Sequence, residues 1–250
     1  MNVHGIHILL YAAAALCALS GVCVFFKSRK PAYALLCAGV LAHTAYQAGR
    51  GWLSGVFIPN GMFEGVFLLP LAVALLALAH QSYGERRPDW DSVTYLAIAF
   101  MAFALYYPHG IIPPTPQKIS IWAAFFFLFE VPAHACFFAG GWLALRALMK
   151  LEGGNDFHPL LVWGFVFYSL AQFTGAVWCY QGWSVPFSWG ARHLNSAAIW
   201  FTYAAYLHLR FLKGWDMRRK AWFAVAASLI VLCLSFASYL HEMNFERIGG

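Results

Sequence analysis

The chain has 250 residues, 62% of them apolar and only 10% charged, with a formal net charge of +6 and a mean hydropathy of +0.63. Soluble domains carry roughly 25% charged residues, so a soluble globular enzyme, a disordered chain and a disulfide-stapled secreted domain are excluded. A polytopic membrane protein remains: at about 20 residues per crossing, eight spans use about 160 residues and leave short loops and no soluble domain.

The first apolar run, 5–26, follows MNVHGIH, which has no basic leader, and reads as a retained helix rather than a cleaved signal. FKSRKP closes it. Runs at 32–49 and 63–82 follow, and YGERRPDWD closes the second of these. The fourth run, 92–108, ends at YPHGIIPPTPQK. The fifth, 119–149, is long enough to tilt strongly or to project from the bilayer, and KLEGGNDFHP ends it. The last three lie at 159–179, 194–212 and 221–241, with KGWDMRRK between the final two. The expected fold is therefore all-α, a single transmembrane domain over 1–250 with about eight helices.

Charge sets the expected orientation. With the N-terminus outside, the inner helix ends hold Lys27, Arg29, Lys30, Arg86, Arg87, Arg146, Lys150, Arg210, Lys213, Arg218, Arg219 and Lys220, which are 12 of the 16 basic residues. Only Arg50, Lys118, Arg192 and Arg247 fall outside. The positive-inside rule then predicts both termini outside, in a bacterial-type inner (cytoplasmic) membrane, with the loops at 50–62, 108–118 and 180–193 also outside. The natural partner is the lipid bilayer, and no nucleic-acid partner is expected.

Six cysteines form neither CxxC nor CxxCH, so the sequence shows no redox dithiol and no covalent haem-attachment motif. Most fall in apolar runs and read as small buried hydrophobes. Ten histidines are spread along the chain, and His43, His134 and His208 lie within apolar runs. An ionisable group inside a span is costly and points to function unless a neighbouring helix satisfies it by a hydrogen bond. In-span histidines on different helices suit axial ligation of haem iron, and equally suit proton relays. Trp178, Trp183, Phe187 and Trp189 crowd one water interface. They form either an aromatic belt or a platform on which a porphyrin or quinone ring stacks. No catalytic residue is assigned.

The stretch GAVWCYQGWSVPFSWGARHLNSAAIWFTYAAYLHLR (175–210) resembles the tryptophan-rich segment of the CcsA/ResC/CcmC cytochrome c assembly family, which reads GAVWAxExWGxYWSWDPKExW and then YLHxR. Gly175, Ala176, Val177, Trp178, Trp183, Ser188, Trp189 and the run Tyr206 to Arg210 carry the match. LAHTAYQAGRGWLSGVFIPNGMFEGVF (41–67) is similar to a second family stretch through His43, Thr44, Arg50, Trp52, Gly55, Pro59, Phe63 and Glu64. SFASYLHEMNF (235–245) resembles the family's GLHSY ending, with His241 at the histidine.

The resemblance implies a haem b held within the bilayer by His43 and His208, and a second haem at the outer face beside the tryptophans, with His241 as one ligand. The other outer ligand should lie near Phe126, where there is no histidine; His134 is two turns deeper, and His109 and His193 are elsewhere outside. The acid-rich WSWDPKE core becomes FSWGARH at 187–193. Two functions follow as expectations. One is handling or delivery of haem in cytochrome c assembly, with a ResB-like partner and an external thiol reductant. The other is a haem b subunit of a quinol-oxidising respiratory complex that passes electrons to periplasmic multihaem c-type cytochromes and binds quinone. In either, Glu64 is a candidate proton acceptor on the outer side.

Overall fold

The computed structural model describes residues 3–56, 62–83, 88–112, 115–150, 157–243 and 247. Among them there is no β-strand. The helices are α1 (Val3–Phe25), α2 (Arg29–Ser54), α3 (Met62–Tyr83), α4 (Pro88–Asp91), α5 (Val93–Tyr106), α6 (Ile121–Lys150), α7 (Phe157–Trp183), α8 (Ala191–His208) and α9 (Met217–Glu242). Apart from the four-residue α4, each overlaps one of the eight apolar runs, and the protein is an all-helical polytopic membrane protein. Helices α1, α6, α7 and α9 are long and apolar enough to cross a bilayer. Helices α3 and α5 contribute shorter apolar stretches, Gly65–His80 and Val93–Tyr106.

Local chemistry explains where the helix ends depart from the apolar runs. Helix α5 stops at Tyr106 although the run continues to 108, because Tyr107 precedes Pro108 and is extended at φ −72, ψ 144. Helix α2 outlasts its run by several residues and stops at Gly55, whose left-handed φ of 71 lets its own N–H reach the Trp52 carbonyl and the Val56 N–H reach the Gly51 carbonyl.

The helices pack as two compact units, one of residues 1–119 with 239–250 and one of residues 120–238. In the first, α1 lies close along α2. A Cβ on Gly39 would stand 3.0 Å from the Cys17 sulfur, and the Ser20 hydroxyl donates to the Ala32 carbonyl at 2.7 Å. At its predicted cytoplasmic end, Arg29 pairs with Asp91 at 3.5 Å and His80 stacks on Trp90 with ring centroids 3.9 Å apart. Burial pushes the Asp91 carboxyl up, against the opposing pull of Arg29 and His80.

In the second unit small residues set the spacing of α6 and α7. A Cβ on Gly140 would meet the Leu161 side chain at 2.5 Å, one on Gly164 would meet Phe137 at 2.7 Å, and one on Gly175 would meet Phe126 at 2.8 Å. On another face of α6, Gly141 leaves room for Ser228 of α9. Lipid tails are as apolar as the side chains, so close packing and hydrogen bonds, not burial from water, hold such helices together. Phe137 stacks on Tyr203 of α8 at 3.6 Å, and the Trp200 indole donates to Ser169 of α7 at 3.0 Å.

Gly140→Val is expected to force the α6–α7 seam apart. Overpacking of this kind costs about 1–3 kcal/mol, so the detergent-solubilised variant should unfold at a lower temperature. Gly5→Ala is the control, because nothing lies within 4 Å of its added carbon; equal midpoints for the two variants would contradict the seam.

Candidate functional site

Helix α2 carries His43 on its buried face, on the same side as Leu36, Val40, Tyr46 and Arg50. His43 is 1% exposed. Its ring makes a hydrogen bond with the backbone of Phe67, and its Nε2 is buried with no hydrogen-bond partner among the described residues. The Tyr46 ring lies 6.0 Å away.

About two turns on, Arg50 ties α2 to the segment after α5. One guanidinium nitrogen donates to the His109 carbonyl at 2.6 Å and to the Tyr46 hydroxyl at 3.2 Å, and the other donates to the Gly110 carbonyl at 3.4 Å. The guanidinium sits 4.4 Å from the Phe67 ring centroid. Arg247 also donates to Gly110, at 3.4 Å, and lies over the Tyr107 ring. The His109 ring meets those of His7 at 5.1 Å and Tyr11 at 6.0 Å. Burial, then the charges of His7, Arg50 and Arg247, hold His109 below the usual histidine range.

In the second unit α6 places His134, 7% exposed, beside Tyr168 at 5.8 Å and Phe138 at 6.3 Å. Its Nε2 also has no hydrogen-bond partner among the described residues. One turn earlier on α6 stands Glu130, within electrostatic reach of Arg192 and Tyr168. The sequence reading missed Glu130 because it searched the runs for histidines. The same rule, that an ionisable group inside a span calls for a reason, would have found it.

His208 ends α8 and is exposed. Its Nδ1 lies 2.7 Å from the Ala204 carbonyl. A carbonyl only accepts, so Nδ1 donates and Nε2 keeps its lone pair. The backbone of His241 falls in the last turn of α9, and its side chain is outside the described residues, as is that of Glu64.

The three tryptophans divide by environment. Trp178, 6% exposed, packs on Ala123 and Phe127 with Trp122 and Phe126 beside it. It meets Trp183 edge-on at 5.7 Å and 71°. Trp183 is 54% exposed and Trp189 83%. Trp189 meets Phe187 at 89°. Trp178 therefore anchors α7 to α6, and Trp183 and Trp189 are the faces open to a planar ring. Phe126, near the place where the resemblance asks for a histidine, packs on Gly175 and Trp178. His193 has both ring nitrogens engaged, Nδ1 with the Ser188 hydroxyl at 2.9 Å and Nε2 with the Cys179 sulfur at 3.5 Å. His134, His208 and the tryptophans thus belong to the second unit, and His43 to the first.

Residues 154–243 match the model of a family described as cytochrome C assembly protein. Over this stretch the chain is similar to the CcsA-type cytochrome c assembly proteins. A cytochrome c biogenesis protein CcsA from Prochlorococcus marinus (strain MIT 9515) is 41% identical over 94 residues, covering 38% of this chain and 28% of the relative. That of strain MIT 9215 is 42% identical over 86 residues, covering 34% of this chain and 26% of the relative. The chain thus spans little more than a quarter of the length of these relatives. Trp178, Trp183, Trp189, His208 and His241 fall inside the matched 154–243, whereas His43 and His134 lie before it.

The family is associated with haem, and the donor chemistry here fits one. His43 and His134 present buried, unpartnered Nε2 atoms, and His208 has its tautomer fixed by a backbone carbonyl, the arrangement that readies an imidazole for iron.

The His109 cluster makes a pH prediction. A histidine held below its usual range takes up a proton less readily folded than unfolded. Stability is therefore present above the ordinary pKa near 6.5 and lost as pH falls through it. Amide protection over 107–112, measured as exchange relative to the intrinsic rate at each pH, should fall between about pH 7 and pH 5 in the native protein, and the response should flatten in His109→Gln. An undiminished response in that variant would assign the titration to His7 or another group.

Proposed function

We propose that the protein handles haem at the outer face of the membrane for cytochrome c assembly, holding it or delivering it to an acceptor. The observation that carries this reading is the cytochrome c assembly match over 154–243, which contains the tryptophan loop, His208 and His241. In this reading the two units work as one transmembrane domain over 1–250, with both termini outside, in a bacterial-type inner membrane. The divide of 12 inner to 4 outer basic residues supports that orientation.

His43 in the first unit and His208 in the second are each proposed as a residue that would hold the iron of a haem b. When bound, the haem supplies a one-electron iron centre. The chain's own part is to fix the two imidazoles. The Phe67 backbone holds the His43 ring, and the Ala204 carbonyl holds His208 with Nε2 as the lone-pair atom. Their burial differs, His43 lying inside its unit and His208 at a surface. His241 of the first unit is a further proposed ligand, and within the second unit Trp183 and Trp189 offer ring faces with Trp178 setting the loop on α6. His134 is a further in-span candidate on α6. Release of haem to an acceptor requires a ResB-like partner and a source of reduced thiols, since the sequence has no dithiol motif.

The reading in which the chain is a haem b subunit of a quinol-oxidising complex rests on the altered FSWGARH core, and no relative described above carries such a name. Its signature is the opposite outcome of the same experiment.

Removing the gene is expected to abolish covalently haem-loaded c-type cytochromes generally. Intact cytochromes, with quinol-dependent reduction of one multihaem partner lost, would replace the assembly role by electron transfer. In the purified protein a pyridine haemochrome assay should report haem b, and His43→Ala and His208→Ala should each shift its spectrum or release it. Full haem with an unchanged spectrum in both variants would remove these two ligands from the proposal.

A further inference from the structure

Cys179, His193 and Ser188 form a cluster that the haem reading does not use. Cys179 lies in the last turn of α7, Ser188 in the loop that follows, and His193 in the first turn of α8. All three belong to the second unit. The Cys179 sulfur stands 3.5 Å from His193 Nε2, and the Ser188 hydroxyl stands 2.9 Å from His193 Nδ1. Cys179 and His193 are half-buried and Ser188 is exposed.

A nucleophile within hydrogen-bond reach of a base, with the base oriented by a third group, is the arrangement that activates a thiol. A thiol hydrogen points at Nε2 only when Nε2 carries the lone pair. The proton is then on Nδ1, and Nδ1 donates to the Ser188 oxygen. Ser188, whose hydroxyl oxygen can accept from Nδ1, accommodates and orients the tautomer in which His193 can take the Cys179 proton. A thiolate at an apolar–water boundary needs a counter-charge, and the imidazolium so formed supplies it. Burial of the sulfur opposes the thiolate, and the Arg192 guanidinium within electrostatic reach works against that burial. This contact also separates the pair from haem ligation: side by side at 3.5 Å, the two atoms leave no space for a porphyrin plane between them.

We propose that Cys179 is a nucleophilic thiol, with His193 its base and Ser188 the positioning residue, and that it exchanges with a disulfide in an outer-face polypeptide. Exchange at sulfur requires an accessible thiolate and a proton carrier, both of which this cluster provides, and it builds up no oxyanion to be stabilised. The approach is lined by exposed Tyr180, Trp183, Val185, Phe187 and Trp189, a surface suited to an apolar peptide segment rather than to a small ion.

The step balances. His193 takes the Cys179 proton, and the thiolate attacks one sulfur of the partner's cystine. The S–S bond breaks, its electron pair leaves on the other sulfur, and that sulfur takes the proton from His193. The products are a mixed disulfide on Cys179 and one free thiol on the partner. A different free thiol of the partner then attacks the partner's sulfur in the mixed disulfide, which moves the partner's disulfide to a new pairing and returns Cys179 reduced. The partner's cystine is the only oxidant needed. The step depends on neither haem nor the identity of its ligands.

The test uses the full-length protein in detergent with oxidised glutathione as the disulfide, and with iodoacetamide as a rate probe, each adduct being located by peptide mass spectrometry. Cys179 should form the mixed disulfide in preference to the exposed Cys233. At neutral pH its alkylation should slow about tenfold in His193→Gln, in keeping with loss of the thiolate fraction. Ser188→Ala, a change at an exposed position, should displace the pH–rate profile of Cys179 and leave that of Cys233 unmoved. Equal Cys179 rates and profiles in the native protein and Ser188→Ala, or glutathione captured by Cys233 and not Cys179, would overturn the proposal. Haem content, read on the same samples, keeps a failure here distinct from a failure of the haem reading.

Discussion

A hydrocarbon interior offers no water to a stranded polar atom, so each buried imidazole in a span must find a partner within the protein or take a ligand. His43 and His134 each leave one ring nitrogen, Nε2, unpaired among the described residues. Leaving such an atom unpaired costs on the order of 1–3 kcal/mol, enough to disfavour histidine at a position where leucine would serve. The helices around these residues are arranged so that the unpaired atom is tolerated. Around His43, the Phe67 backbone holds the ring. Around His134, the rings of Tyr168 and Phe138 close in.

Placing these side chains depends on how closely the helices approach. Gly140, Gly164 and Gly175 let α6 and α7 approach until Phe126, Phe137 and Leu161 occupy the space a side chain would fill. The same contacts fix the outer loop. Phe126 and Phe127 receive Trp178, and Trp178 meets Trp183 edge-on. The exposure of Trp183 and Trp189 is therefore a consequence of the α6–α7 seam beside them. In the first unit Arg50 does the corresponding work by a different device, bonding α2 to the His109 and Gly110 carbonyls after α5 has been stopped by Pro108.

The helices were legible because hydropathy reports what a bilayer demands over about 20 residues, and that demand outweighs local propensity. Their ends were less so, being set by single residues such as Gly55 and Tyr107 that a window averages away. At the site, the in-span histidines stood out one by one because an imidazole in an apolar run is conspicuous. Trp178 could not be told from Trp183 by sequence, since both lie in the same aromatic cluster and only packing on Phe127 separates the anchor from the open face. Glu130 needed only a wider search of the same run. Cys179 was hidden for a deeper reason: reactivity belongs to a pair, and the second member, His193, is 14 residues away across a loop whose course no periodicity predicts.

That loop is also where the chain departs most from the family pattern, with FSWGARH standing for WSWDPKE. The substitutions are physically connected. Losing the acidic residues removes the negative charge that would have paired with Arg192 or an incoming cation, and the histidine that appears at 193 is the residue that reaches both Ser188 and Cys179. A carboxylate at 193 could accept from the Ser188 hydroxyl and the Cys179 thiol but has nothing to donate, whereas a neutral imidazole offers a donor and an acceptor on one rigid ring. The altered loop thus exchanges a charged surface for a neutral proton carrier beside a thiol, while Trp183 and Trp189 remain exposed next to it. The loss of the family's acid-rich core and the placement of a base against Cys179 are two consequences of one change in sequence.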